Sequence, residues 1–371
     1  MGISKNNKKN NESVPIMQNR IIIIILIMIV GVVGVVAYIT SFSNSSSSGT
    51  INDMAGRSVD VPSDVNKTFS IAGSLTIMLY MIAPNKMIGW NSNRNSPENQ
   101  YVPAQYQNLP VLGGGTNDAN YESIISESPD VVFIGHGGDN TTIDGIQNKF
   151  GEIPVLDVEG DNNLTNIVPA IRFMGAVLGD ENTSDQLIEF YNNVYNQVNN
   201  TVKTIPTSEK KTVYYARDDS GLSTFAPGSP QTQLIELCGG INVVQGPASS
   251  SGGAMEVSME LVLQWNPDVI ITSSPNFYNT VYSNPLWQNI NAVKNKQVYL
   301  VPQSPFNWFE SPPGANTIMG IPWTAEVLYP DKFENMNLKN LTMEFYSKFY
   351  HYNLTDTQAS GLLNSSGLKG Y

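Results

Sequence analysis

Two stretches decide how this chain folds: Ala119–Gly135, ANYESIISESPDVVFIG, and Val257–Ser273, VSMELVLQWNPDVIITS. Each carries a glutamate, six residues, then Pro-Asp-Val and a β-branched residue. Glu122 leads Pro129, Asp130, Val131 and Val132; Glu260 leads Pro267, Asp268, Val269 and Ile270. Each reads as a short amphipathic helix, a Pro-Asp turn and a buried strand, since a short apolar run bounded by turn residues fits a strand covered on both faces. The same unit in both halves predicts two like lobes with a cleft between them, a common place to hold a small molecule.

Outward from the repeats, the chain alternates strand and helix. DMAGRSVDVP at Asp53–Pro62 predicts a small hairpin turning at Ala55-Gly56. Thr68–Ala72 reads as a strand entering Gly73-Ser74, followed by a helix over Leu75–Ile82 and a strand over Lys86–Trp90. This β-turn-α-β order belongs to mostly parallel, doubly wound sheets. An Ile143–Phe150 helix and an Ile153–Asp157 strand follow the first repeat. The period then changes: Leu164–Leu178 is helical, and Asn182–Ile205 places Leu187, Ile188, Tyr191, Val194, Tyr195, Val198 and Val202 on one stripe, with Asp180, Thr183 or Ser184 as its cap. One long helix, ended by Pro206, is expected to join the lobes. The second half restarts with strands at Thr212–Ala216, Val269–Thr272 and Gln297–Val301 and helices at Gln231–Cys238, Ala315–Leu328 and Leu338–Tyr350. Gly361–Tyr371 is expected to fray. The predicted divisions are a basic tail 1–20, an apolar segment 21–39, a Ser/Asn-rich tether 40–52, an N-terminal lobe 53–162, a helical linker 163–206, a C-terminal lobe 207–352 and a flexible tail 353–371.

Composition narrows the function. The net charge is −12 with five arginines, against the basic stripe that nucleic-acid binding needs. The single Cys238 excludes a disulfide framework and a Cys-rich metal site, and its LIELCGG context predicts a packed, inert thiol. Ile21–Ile39 is 19 uncharged residues, about enough to span a bilayer as a helix. Lys5, Lys8, Lys9 and Arg20 precede it and no positive charge follows until Arg57, which predicts a cytoplasmic tail and an external remainder. An uncleaved single-pass anchor is the first reading and cleavage near Ser41–Ser48 the alternative. No cysteine follows the apolar run, so a lipid anchor is excluded. Nine Asn-x-Ser/Thr sequons beyond it (Asn44, Asn66, Asn140, Asn163, Asn182, Asn199, Asn340, Asn353 and Asn364) fit a glycosylated cell-surface protein with an archaeal-like envelope.

The order and spacing of DMAGRSVDVP, NYESIISESPDVVFIG, the helical Asn163–Val202, YYARDDSGLSTFAPGSPQTQLIELCGGINVV, EVSMELVLQWNPDVIIT and VKNKQVYLVP resemble the substrate-binding proteins of ABC importers for ferric siderophores, haem and cobalamin. The resemblance covers most of Asn52–Pro330. It implies two Rossmann-like α/β lobes joined by one long helix, no enzymatic activity, no resident cofactor, and a partner permease with a cytoplasmic ATPase. It further implies that Glu122 and Glu260, one per lobe, dock on the permease. Such charge pairing steers encounter and fixes register, while an acid near a helix start is also an ordinary favourable placement.

Ligand contacts are expected at strand C-termini, where open α/β sheets bind. The candidates are Ser74 after the first strand; Trp90, Arg94 and Tyr101 at and beyond the second; His136 after the first repeat; Arg217 and Phe225 in the second lobe; and Phe306 and Trp308 in SPFNWFESPPGAN. Arg94 and Arg217, from opposite lobes, could clamp an anion by bidentate hydrogen bonds. Aromatic residues suit a flat or partly apolar ligand. With only His136 and His351, no histidine cluster exists for a bare transition metal, which favours a ligand whose metal is already chelated, or no metal. The expected ligand is an iron(III) chelate of siderophore type, with cobalamin or another corrinoid, or molybdate or tungstate, as alternatives, bound by a monomer. A surface sensor or a chelatase-like enzyme is the reading from a different class; no GxSxG elbow or paired histidines support the enzyme.

Overall fold

The computed structural model describes residues 49–94, 96–115, 119–135, 139–246 and 253–371. The Ile21–Ile39 segment and His136 lie outside them. Among the described residues no helix is long and apolar enough to cross a membrane.

The chain opens with an antiparallel hairpin, β1 (Gly49–Asn52) on β2 (Ser58–Val61), turning through Gly56 at φ 79°. Arg57 fastens it: its guanidinium pairs with Asp53 at 2.7 Å and donates to the Val155 carbonyl at 2.7 Å. The N-terminal lobe is a parallel sheet in the order β3 (Thr68–Ser70), β4 (Val131–Gly135), β5 (Val155–Val158). Lys86–Trp90 does not form the expected strand. Met87 makes an isolated bridge to Thr68 and Trp90 another to Val111, so this edge is paired only at its ends. The C-terminal lobe is a parallel sheet in the order β11 (Val298–Leu300), β10 (Val269–Thr272), β6 (Thr212–Ala216), β8 (Ile241–Asn242). A small antiparallel pair, β7 (Ser223–Thr224) and β9 (Met255–Glu256), lies beside it.

The repeated sequence is a repeated structure. Helix Tyr121–Ser126 is capped by Asn120 and helix Met259–Trp265 by Ser258, each side chain accepting a backbone N–H of the first turn. Each helix ends in a left-handed residue immediately before proline, Ser128 at φ 53° and Asn266 at φ 43°. The following aspartate does the same work in both lobes. Asp130 accepts the backbone N–H of Asn66 and Lys67 at 2.7 and 2.8 Å, just ahead of β3. Asp268 accepts the N–H and hydroxyl of Thr212, the first residue of β6, at 3.0 and 2.8 Å. Pro-Asp therefore starts one strand and staples the start of its neighbour, satisfying backbone donors that a sheet end leaves open.

Between β5 and β6 the chain crosses through a helical hairpin, Ile167–Leu178 and Glu181–Val202. The longer helix has 22 residues and spans about 33 Å. Its stripe is buried as expected, with Tyr195 half-exposed and stacked on Tyr191 at 5.4 Å. Asp180 occupies the N-cap without a side-chain cap bond, and Ser184 is instead buried against Gly175. A Cβ at Gly175 would sit 2.1 Å from Ser184 Oγ, and Gly179 makes the turn at φ 63°, so two glycines permit the tight return.

One apolar core runs through both lobes and the crossing helices. Cys238 is buried in it, its thiol pushed up by burial, with Sγ 3.4 Å from the Ile321 carbonyl. The C-terminus corrects the expectation of a flexible tail. Asp356–Ser365 is a helix started by a Thr355/Gln358 capping box. Ala359 and Leu363 are fully buried, and Ser366 accepts from Leu300 N at 2.9 Å and from Trp323 Nε1 at 3.1 Å. Its polar composition concealed two short apolar contacts that suffice once the rest of the core provides a surface.

Candidate functional site

The loop after β11 organises the site. Between Pro302 and Gly314 it turns back across the N-terminal lobe, with Asn307 as its pivot. Asn307 Oδ1 accepts Phe309 N and Glu310 N at 2.8 and 2.9 Å, and its amide donates to Ser273 Oγ at 3.1 Å. The loop closes over the start of helix Gly73–Ile82. A Cβ at Gly73 would lie 3.5 Å from Pro312, and one at Gly314 would lie 3.1 Å from Ser74 Cβ.

A cavity of about 780 Å³ lies where the two lobes meet. Its N-terminal wall includes Gly73, Thr76, Ile77, Trp90, Asn91, Arg94 and Tyr101, its opposite wall Gln303–Asn307, Ser311 and Pro312. Helix Asp356–Ser365 contributes Gln358, Gly361, Leu362 and Ser365.

Four of the residues selected from sequence, Trp90, Arg94, Tyr101 and Phe306, line this cavity. Trp90 is held by its indole N–H donating to Tyr106 O at 2.7 Å, and Tyr101 packs edge-on to Tyr346 and Tyr352. Arg94 differs from the expected anion clamp. Its guanidinium lies against the adjoining rings of Trp90 and Phe306, 4.4 and 4.7 Å from their centroids, which are themselves 6.2 Å apart and tilted by 48°. It donates to the carbonyls of Glu98 and, across the lobes, Pro305 at 3.0 Å, and to Asn99 Oδ1 at 3.2 Å. Burial lowers its pKa from the usual arginine value. Arg94 is a clip between lobes whose donors are directed at protein oxygens.

Arg217 and Phe225 belong to a second cluster on the C-terminal lobe rather than to the cavity wall. Tyr215, next to last in β6, places its hydroxyl 2.7 Å from Ser273 Oγ and 3.0 Å from Glu310 Oε1. Its ring stacks on Phe309 at 4.9 Å and on Phe225 at 6.2 Å. The exposed Arg217 side chain lies 5.7 Å from the Phe225 centroid. Glu310 is buried, which raises its carboxyl pKa; the Tyr215 hydrogen bond and the Arg217 charge pull it partly back. Ser74 is largely closed off, its hydroxyl donated to Asp161. Trp308 is not a wall residue: it is fully buried, with its backbone carbonyl against Gly320 and its ring edge-on to Tyr346. The polar, proline-rich neighbourhood suggested an exposed loop, but every residue from Ser304 to Glu310 is buried.

Sequence reasoning passed over Tyr215, Glu310, Asn307 and the C-terminal helix. The signal for Glu310 was a lone acid beside aromatic residues; nothing local marks the others. Asp218 and Asp219 are loop organisers: Asp218 accepts from Ser220 Oγ and Ser223 N, Asp219 from Asn276 and Ser274. Among the described residues no group of three or more His, Cys, Asp or Glu is placed to hold a metal ion. Glu122 and Glu260 are both exposed in the first turn of equivalent helices, and hydrogen bonds from the local backbone and Ser258 hold the Glu260 carboxyl below its usual pKa.

Two parallel α/β lobes, a helical crossing and a cavity at their meeting define a solute-capturing protein. The chain belongs to the family described as periplasmic binding protein, whose profile matches residues 72–305. It has the class of fold with a helical backbone between the lobes and is the substrate-binding component of an ABC importer. The chain is 30% identical in sequence to a solved ABC transporter solute binding protein from Sulfurospirillum deleyianum, with a TM-score of 0.78, covering 85% of this chain and 99% of that one. It is 26% identical over 323 residues to the molybdate-binding protein MolA of Haemophilus influenzae, spanning 81% of this chain and 90% of that protein. It is 25% identical over 288 residues to an uncharacterised ABC transporter substrate-binding lipoprotein of Bacillus subtilis, spanning 77% of this chain and 87% of that protein.

Proposed function

We propose that the chain captures an iron(III) chelate of siderophore type between its lobes and delivers it to the permease. The observation that carries this reading is the size and character of the cavity. About 780 Å³ is several times what a tetrahedral oxyanion occupies and falls in the range of sites for organic ligands. Its aromatic and neutral polar lining, with the Arg94 donors directed at carbonyls, suits a chelate with an organic shell. Cobalamin or another corrinoid is the same class of ligand. Molybdate or tungstate is the second reading, favoured by the likeness to a protein named for molybdate. Arg217, with the Ser273 and Tyr215 hydroxyls, would then supply the contacts.

A thermal-shift and native mass-spectrometry screen against a ferric trihydroxamate, cyanocobalamin, molybdate and tungstate separates these readings, because a ligand that binds only the folded state raises its apparent stability. A shift with the oxyanions alone would reject the chelate.

Delivery uses Glu122 and Glu260 as a two-point contact with basic pockets on the permease, one from each lobe. The protein acts as a monomer held at the cell membrane by Ile21–Ile39, with the binding unit outside and glycans on its exposed sequons. Sedimentation of intact membranes tests the anchor: release of the protein by a high-salt wash would reject it.

A further inference from the structure

We infer that the C-terminal helix Asp356–Ser365 is a third wall of the ligand cavity and that Gly361 keeps it open for the organic shell of the ligand; this rests on the chelate reading above. Gln358, Gly361, Leu362 and Ser365 all line the cavity. Their spacing of three, one and three residues places them on one helical face. The helix is a fixed part of the site. Ala359 and Leu363 on its other side are fully buried, and Ser366 is tied to Leu300 and Trp323. Tyr352 links this wall to the N-terminal lobe: it packs 5.4 Å from Tyr101, and its hydroxyl accepts from Gln358 Nε2 at 3.3 Å.

Gly361 is the informative residue. A glycine inside a helix is unfavourable relative to alanine because it adds backbone entropy to the unfolded chain. Here no left-handed backbone demands it, and no close neighbour does either: a Cβ at Gly361 would meet nothing within 4 Å. What the missing side chain provides is space in the cavity. Only Arg94 and Glu98 are charged among the lining residues, and their signs oppose. Gln100, Gln303 and Gln358 offer neutral amides, and Ile77 and Leu362 offer aliphatic surface. The ligand portion facing this helix is therefore an uncharged organic shell with hydrogen-bonding groups.

The test substitutes Gly361→Trp in the full chain in detergent, with Gly145→Trp as the control. Gly145 is also an exposed helical glycine with open space at its Cβ, and it is remote from the cavity lining. Titration uses a ferric trihydroxamate and cyanocobalamin, with sodium molybdate as the small probe. The expected result is that G361W weakens binding of the organic complex that the wild type takes by roughly tenfold or more. Its Tm should be unchanged or higher, and G145W should bind as the wild type does. If the wild type binds an organic complex and G361W binds it equally well, the third wall is overturned and the chelate reading stands. If the wild type binds molybdate and neither organic complex, the chelate reading fails and this inference falls with it.

Discussion

Arg94 offers a sharp test, because two roles predict opposite outcomes. As an anion clamp, its loss would abolish binding and leave the fold untouched. As a clip, its loss would loosen the junction of the lobes. The structure gives it three acceptors, the carbonyls of Glu98 and Pro305 and the Asn99 side chain, and two aromatic faces, Trp90 at 4.4 Å and Phe306 at 4.7 Å. Hydrogen bonds from a charged donor contribute about 1.5–3 kcal/mol net, and a partly desolvated cation–π contact about 0.5–2 kcal/mol. The group is half-buried and its desolvation works against it, so the net falls below even the low end of that sum: Arg94→Ala should cost about 2–4 kcal/mol. For a folded unit of this size that is a fall in Tm of about 3–6 °C. Arg94→Lys should recover only part, since an ammonium cannot fill the same fork of acceptors or lay a planar cation against two rings. The assay is urea unfolding followed by tryptophan fluorescence, where Trp90 reports the junction, alongside circular dichroism for the whole fold. A midpoint equal to wild type in Arg94→Ala, with ligand binding lost, would refute the clip and restore the clamp.

Other consequences follow from the same geometry. Asp130→Ala and Asp268→Ala should each destabilise by about 1–3 kcal/mol by leaving two strand-start donors without their acceptor, and the losses should add because the sites lie in different lobes; a double mutant no less stable than either single one would show that they are not equivalent staples. Glu310 has a folded-state pKa above its ordinary value because of burial, so the stability it contributes is complete below the ordinary glutamate range and is lost as pH rises through the folded value. Glu310→Gln should accordingly raise Tm relative to wild type more at pH 8 than at pH 4, and a difference that is flat or reversed across paired melts would contradict this. Combined Glu122→Ala and Glu260→Ala should leave ligand affinity intact and abolish uptake into cells; unimpaired transport would remove the docking role. Small-angle scattering should show little compaction on ligand addition, since one core and a continuous crossing helix resist wide closure.

What was legible in the sequence was whatever local periodicity and turn chemistry encode. The strands Val131–Gly135, Thr212–Ala216 and Val269–Thr272 stand at their expected bounds, because short apolar runs flanked by turn residues leave few alternatives. The helical stripe at Leu187–Val202 was equally plain. Lys86–Trp90 was misread because an apolar run shows potential for pairing, while pairing itself depends on a neighbour of matching length. In the polar sequence of 353–371 the Thr355/Gln358 capping box was a local sign of a helix, but the burial that holds it depends on the sheet and core.

By itself the sequence determined that there are two homologous lobes, that one helical crossing joins them, and that a glutamate sits at the same place in each. These properties follow from repeated motifs a few residues long. Only the tertiary structure decided which candidates share a cavity. It put Trp90, Tyr101 and Phe306 around the cavity, directed Arg94 at the Pro305 carbonyl, set Trp308 in the core and brought the C-terminal helix to the cavity's edge. Such groupings join residues some two hundred positions apart, and their outcome is set by competition among all the groups that could fill a given volume or accept a given proton. A window of sequence contains only one side of that competition.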